Sequence, residues 1–539
     1  MISALWKRIL TPIEGMHSAA YALGALTFLS QALALLRDHL FAHTFGNGRV
    51  LDLYYAAFKL PDLIFALVSS LVSAYILIPY ITNASRKDTA RLLSESFSFL
   101  IVIGGAICLV LGVFAPEVLR IMYPNLMASP QHAAFVFLMR ILLIQPILLG
   151  ISGVLGSITQ TERQFFLFAL APVLYNLGII LGAVALYPIF GLPGVGYGVL
   201  LGAALYAITN IPPLVRSGIP LSWRMPEKRV LFPIMRESVP RSFAMGMDSF
   251  TLLFLTTLAA RLSTGSVAVF TLASNLENVP LALIGGSYAV AAFPSLSKHA
   301  FDNRTAFSDA LSSSARHILV WSLVALGLIS MLSTPLVRVI LGTGAFTAHA
   351  VHITAALLVL LVAGLAAQGL SLLFSRALYA RRQSWLPLVY QLGSAAITAL
   401  IALALLSKQT ARVPVLAFFM HVGNVSGLPV LALAFAATAG EIFLVFALLS
   451  ALRAAAPGLS KSLVRPLFQS TAASTAAVLL GYKTLALLGG VTPSTALSAA
   501  FASGAAAGIV GLMTAFFVLW ALRNQEFLEV LATVQRFLR

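Results

Sequence analysis

Asp52, Tyr55, Lys59 and Asp62 recur at i, i+3, i+7 and i+10 within the apolar stretch LDLYYAAFKLPDLIFALV. A helix there lines one face with two carboxylates, a phenol and an ammonium. Lys59 has Asp62 and Asp52 as possible partners on that face. The preceding apolar run carries Arg37 and Asp38, and a Gly-Asn-Gly turn at Gly46 to Gly48 joins the two runs. An ionisable group inside an apolar span is costly and normally faces an internal cavity or a partner charge, so each is a candidate functional residue. Arg140, Asp248, Asn275, Glu277, Asn278, Glu441 and Lys483 interrupt later apolar runs. For Lys483, Arg37 and Asp38, structural ion pairing or snorkelling near a helix end is an equal reading.

Enzyme constellations are missing from the chain. Its 9 histidines form no HExxH pattern, and there is neither a CxxC pair nor a nucleophile elbow. His349 and His352 share a helical face, but without carboxylate or thiolate company they read as surface residues. Neither a metal nor a cofactor is expected, and Asp248 is the one candidate for a sodium site. The GVGYG at Gly194 to Gly198 has the letters of a potassium-channel filter, which follows a pore helix in a tetrameric two-helix unit. Here it opens a long apolar run, and Gly194, Gly198 and Gly202 read as a GxxxGxxxG face for close helix packing. Gly504 and Gly508 read the same way.

The elements that must carry these residues follow from composition. The chain has 539 residues, 60% hydrophobic and only 9% charged, with mean hydropathy +0.96. Soluble domains carry about a quarter charged residues. This is therefore a polytopic membrane protein, and apolar runs of about 20 residues or more favour helices over a barrel. The single cysteine, Cys108, excludes an intramolecular disulfide framework. The net charge of +17 is scattered over many short loops, which excludes a nucleic-acid stripe and fits a positive-inside topology. The first apolar run begins near His17 and is too long for the core of a cleavable signal. The leader with Lys7 and Arg8 is expected to lie along the cytoplasmic interface.

Apolar runs predict fourteen transmembrane helices, at 17–45, 52–82, 95–122, 133–160, 165–189, 193–215, 233–262, 266–294, 313–341, 350–380, 385–407, 427–454, 463–487 and 496–522. A short amphipathic helix follows at 523–539. One side of the membrane collects Arg86, Lys87, Arg91, Arg163, Arg216, Arg236, Lys298, Arg381, Arg382, Arg453 and Arg523, and the other little beyond Arg49, Arg261, Lys408 and Arg412. Both termini are therefore expected in the cytoplasm. IPYITNASRKDTARLLSESFSFL from Ile78 resembles FPSLSKHAFDNRTAFSDALSSSARHIL from Phe293, and TERQFFLFALAP from Thr161 resembles ARRQSWLP from Ala380, at nearly the same offset. A six-helix unit used twice in one orientation accounts for both matches. The expected organisation is an N-lobe at 1–216, a cytoplasmic linker at 217–231, a C-lobe at 232–456, and a further helix pair with an amphipathic tail at 457–539. Pro61, Pro146, Pro240 and Pro280 are expected to break their helices and permit bending.

LSQALALLRDHLFAHTFGNGRVLDLYYAAFKLPDLI, from Leu29 to Ile64, resembles the opening of the MurJ (MviN) lipid II flippases of the multidrug/oligosaccharidyl-lipid/polysaccharide exporter superfamily. The shared residues are Ser30, Arg37, Asp38, Phe45, Gly46, Gly48, Asp52, Ala57, Phe58, Lys59, Leu60 and Pro61. NVPLALIGGSYAVAAFPSLSKHA, from Asn278, resembles a second segment of that family. The resemblance implies a MATE-like fold, all-α, with fourteen transmembrane helices in two six-helix lobes plus a C-terminal pair. It also implies a central cavity whose arginines engage the diphosphate of lipid II, as guanidinium geometry suits. Where the family has arginine, this chain has Gln31, Phe65 and Asn275, and where the family has asparagine it has Asp62. Arg37 and Lys59 match, and Arg140 is a candidate replacement charge.

The expected function is that of an inner-membrane flippase moving a polyprenyl-diphosphate-linked saccharide, lipid II by resemblance, by alternating access. Arg37, Asp38, Asp52, Lys59, Asp62, Arg140, Asn275 and Glu277 are the cavity candidates. Asp248 and Glu441 are the candidates for coupling to an ion or to membrane potential. Partners would be the lipid-linked substrate, membrane lipid and a coupling ion such as sodium, with no nucleic acid and a monomeric chain. The rival readings are an exporter of another lipid-linked oligosaccharide or of small cations, and a membrane scaffold that has lost transport.

Overall fold

The computed structural model describes residues 16–68, 71, 77–78, 80–81, 84–162, 164–225, 227–407 and 429–538. Lys7, Arg8, Pro79, Arg163, Lys408, Arg412 and Arg539, with parts of the second and twelfth expected helices, lie outside them.

Every regular element among the described residues is helical. In chain order these are α1 (Met16–Phe45), α2 (Arg49–Val68), α3 (Arg86–Val113), α4 (Ala115–Met122), α5 (His132–Thr161), α6 (Phe165–Phe190), α7 (Leu192–Ser217) and α8 (Lys228–Ala259). Then come α9 (Ser266–His299), α10 (Arg304–Ile340), α11 (Ala348–Val362), α12 (Leu365–Ala380), α13 (Trp385–Ser407), α14 (Pro429–Leu452), α15 (Leu459–Leu487), α16 (Leu497–Ala521) and α17 (Gln525–Leu538). Ten helices among the described residues are long and apolar enough to cross a bilayer, or eleven if α11 and α12, bent by 44°, form one span. α2, with Arg49, Asp52, Lys59 and Asp62 in twenty residues, is not among them.

Two compact units result, one from the described residues of Met1–Phe41 and Gly48–Arg261, the other from Ala42–Asn47 and the described residues of Leu262–Arg539. In the first, α2 is the buried centre, packed by α5 and α8. In the second, α10 is the long spine against which α11, α12, α15 and α16 pack.

Local sequence explains the irregularities. The GxxxGxxxG face on α7 packs on α6 so closely that a Cβ on Gly198 would run into the Cα of Gly182, and one on Gly202 would lie 3.1 Å from the Cα of Tyr175. Single five-residue π turns interrupt α3 at Leu100–Gly104, α6 at Gly182–Leu186 and α9 at Ala282–Gly286, the last just after Pro280. Pro146 stands in the first turn after a break in α5 between Leu142 and Gln145. Pro61 and Pro240 lie inside uninterrupted helices, contrary to the expected breaks. Both rings are buried, and a helix packed on its neighbours tolerates one lost backbone bond.

Candidate functional site

The charged face of α2 lies in the first unit. Asp52 and Lys59 are buried at 3% and 7% exposure, Tyr55 is buried and Asp62 is half-buried. An aromatic group holds the start of this helix against α1: Phe41 meets Tyr54 edge-on at 5.0 Å, and Tyr54 stacks obliquely on Tyr55 at 5.3 Å and Phe58 at 5.5 Å. The Tyr55 hydroxyl is buried with no hydrogen-bond partner among the described residues.

One turn further along, Lys59 and Asp62 open onto a cleft of about 330 Å³ lined also by Phe65 and Ala66 of α2 and by Met245, Ser249 and Leu252 of α8. No ion pair joins Lys59 to Asp62 among the described residues. Asp52 is two helical turns from Lys59, and Asp62 is the more exposed residue of the pair that opens onto the cleft. The cleft therefore offers one cationic and one anionic group, a hydroxyl and apolar walls. Such a lining can orient a charged head group, and it holds no nucleophile and base arranged for chemistry.

Arg37 is held elsewhere in the same unit. Its Nε and Nη2 donate to Asp38 Oδ1 at 3.0 and 2.9 Å, and its Nη1 donates to Asn176 Oδ1 at 3.1 Å. Asn176, on α6, donates in turn from Nδ2 to the Ser30 hydroxyl and carbonyl, both at 3.3 Å, and to the Pro172 carbonyl at 3.2 Å. The Asp38 carboxylate is 2% exposed, so this ion pair is largely desolvated and fixed in geometry. Asn176 was not among the expected site residues. Its signal was one amide in the apolar run FFLFALAPVLYNLGIIL, but the sequence does not say which run it packs against.

Arg140 is exposed and donates to the Gly112 carbonyl at 2.9 Å, which ties α5 to α3. Asp248 is exposed on α8, beside the cleft residue Ser249. In the second unit, Glu277 is buried on α9 and accepts a 2.6 Å bond from Gln368 Nε2 of α12, while Asn275 on α9 and Glu441 on α14 are half-buried. Among the described residues no three His, Cys, Asp or Glu side chains come together as a metal site.

The family model described as lipid II flippase MurJ matches residues 41–501, the greater part of the chain and all of the α2 face and cleft. The chain belongs to the MurJ family. It is thus a multi-pass membrane transporter and not an enzyme. The lipid II flippase MurJ of Burkholderia cenocepacia is 25% identical over 405 residues, covering 71% of this chain and 77% of that one. The probable lipid II flippase MurJ of Bdellovibrio bacteriovorus is 27% identical over 419 residues, covering 72% and 76%. Among solved structures, MurJ in an inward closed conformation superposes with TM-score 0.70 at 21% identity, over 93% of this chain and 99% of that one. An inward-facing MATE transporter of the MOP superfamily superposes with TM-score 0.65 at 18% identity, over 82% and 99%. The polytopic all-helical fold expected from the MurJ resemblance is therefore the fold of this chain.

Proposed function

We propose that this chain flips lipid II, the lipid-linked peptidoglycan precursor, across the cytoplasmic membrane by alternating access, with no bond made or broken. The observation that carries this reading is the MurJ match over residues 41–501, which takes in the buried charges of α2. The α2 to α8 cleft supports it: a charged head group can be held there by Lys59 and Asp62 while apolar parts of the ligand stay in hydrocarbon. Arg37 with Asp38 and Asp52, Arg140, Asn275 and Glu277 remain the other cavity candidates. In this reading twelve of fourteen spans form the lobes 1–216 and 232–456, joined by the linker 217–231, and the last two form the helix pair that precedes the tail within 457–539. Both termini are cytoplasmic, the chain acts as a monomer, and Asp248 and Glu441 couple transport to an ion or to the potential. A carboxylate moving in that field gains about 2.3 kcal/mol per charge per 100 mV.

Complementation of cells depleted of their own lipid II flippase tests the assignment. Growth and cell shape should be restored by the full chain, and lost with Lys59→Ala at equal membrane abundance. Failure of the correctly inserted wild-type chain to restore growth would overturn the assignment to lipid II.

A further inference from the structure

Glu277 stands apart from the other intramembrane carboxylates. It is 5% exposed on α9, a helix apolar enough to cross the bilayer, and its one polar partner among the described residues is the neutral Gln368 amide. The helices packed against α9 carry Arg304, Asp309, Arg316, His317 and Arg338 on α10, His349 and His352 on α11, Arg376 on α12 and Glu441 on α14. None of these forms an ion pair or hydrogen bond with Glu277 among the described residues, and neither do Tyr288, Lys298 or His299 of α9 itself.

A buried carboxylate whose one polar partner is a neutral amide has little to offset the loss of its hydration, so a bound cation or proton stabilises it there. A metal cation needs several oxygen ligands, whereas the group facing Glu277 Oε1 is an N–H, which repels a cation. The ligand that remains is a proton.

Its neighbour sits at a hinge. α11 and α12 meet at 44°, with Ala363 and Gly364 at the break, and Gln368 lies in the first turn of α12. A Cβ on Gly364 would lie 3.4 Å from Gln368 Nε2, so the amide packs against the break. A hydrogen bond to an ionised carboxylate is roughly twice as strong as one to a neutral carboxyl. Adding a proton to Glu277 therefore loosens the tie between α9 and the break.

We propose that Glu277 is a protonation site that couples transport to a pH gradient: its free Oε2 takes up one proton from water, forming an O–H bond, and the weakened bond to Gln368 frees the α11–α12 hinge. This rests on the flippase reading for its role in transport, but not for the protonation itself. Infrared difference spectra of the full chain in phospholipid vesicles test the protonation directly. A protonated-carboxyl stretch should grow as the pH is lowered, shift on exchange into D2O and be absent from Glu277→Gln, which keeps an amide oxygen for Gln368. Its absence at every pH, or a carboxylate band that responds to sodium but not to pH, would overturn the proposal. Should Glu277→Gln not fold, Gln368→Leu serves instead: loss of the donor should carry the protonated band to higher pH, and an unmoved band would overturn the proposal. In the same vesicles, an imposed pH difference should change lipid flipping severalfold in the wild type and leave Glu277→Gln unchanged; equal responses would overturn the coupling. A wild type that shows the band and flips no lipid would sink the flippase reading alone.

Discussion

Arg37 does not stand as a free guanidinium in a cavity. Three of its donor groups are engaged, two by Asp38 and one by Asn176, and Asn176 is itself engaged with Ser30 and Pro172. The pair thus holds α1 against α6 in the first unit, and three of the five guanidinium N–H donors are committed to that tie. Replacing the amide should show this. Asn176→Ala leaves Arg37 Nη1 and the Ser30 hydroxyl without their acceptor and donor, which costs about 1–3 kcal/mol for a buried polar group. Thermal unfolding of the purified protein in detergent should record that loss, and an unchanged midpoint would mean that water replaces the amide. Arg37 and Asp38 were legible in the sequence because charge in an apolar run is conspicuous. Asn176 and Gln368 were not, because a single amide in such a run is unremarkable until the opposing helix is known.

Packing between elements shows the same division between what pattern reveals and what it hides. The close seam of α6 and α7 was readable from the spacing of Gly194, Gly198 and Gly202, since only small residues allow backbones to approach so near. Its test is a matched pair of substitutions. Gly198→Ala drives a methyl into the Gly182 backbone, which cannot move as a side chain could, so a loss of about 1–3 kcal/mol is expected. Gly153→Ala, on α5 with nothing within 4 Å of the added carbon, should be neutral or gain up to about 1 kcal/mol from helix propensity. Equal midpoints for the two variants in thermal denaturation would refute the packing account. The apolar runs located the helices for the same reason, that hydrocarbon forces internal hydrogen bonding over about 20 residues. They could not reveal that α8 supplies the wall opposite Lys59 and Asp62, because Met245, Ser249 and Leu252 look like any other face of a span.

At the scale of the whole chain, the turn between α1 and α2 matters most. Ala42–Asn47 belongs with the second unit, although Phe41 before it and Gly48 after it belong with the first. Three glycines with left-handed backbones seat this tip: Gly46 at φ +62°, Gly265 at +89° and Gly344 at +58°. A side-chain carbon on Gly46 would meet Ala345, one on Gly265 would meet Asn47, and one on Gly344 would meet His43. The Ala345 amide donates to the His43 carbonyl at 2.9 Å, and His43 Nδ1 lies 3.2 Å from the Thr343 hydroxyl. A transport cycle either keeps the tip seated on these glycines or withdraws it from them. Gly344→Ala discriminates, because it disturbs the seat without touching the charged face of α2. The left-handed conformation alone costs an alanine about 1–2 kcal/mol, and the clash with His43 adds to it. Amide exchange over residues 343–347 should accelerate in that variant, while protection along α2 stays as in the wild type. If complementation fails as exchange accelerates, a seated tip is required for transport; accelerated exchange with full growth would show that the tip leaves its seat at no cost to the cycle.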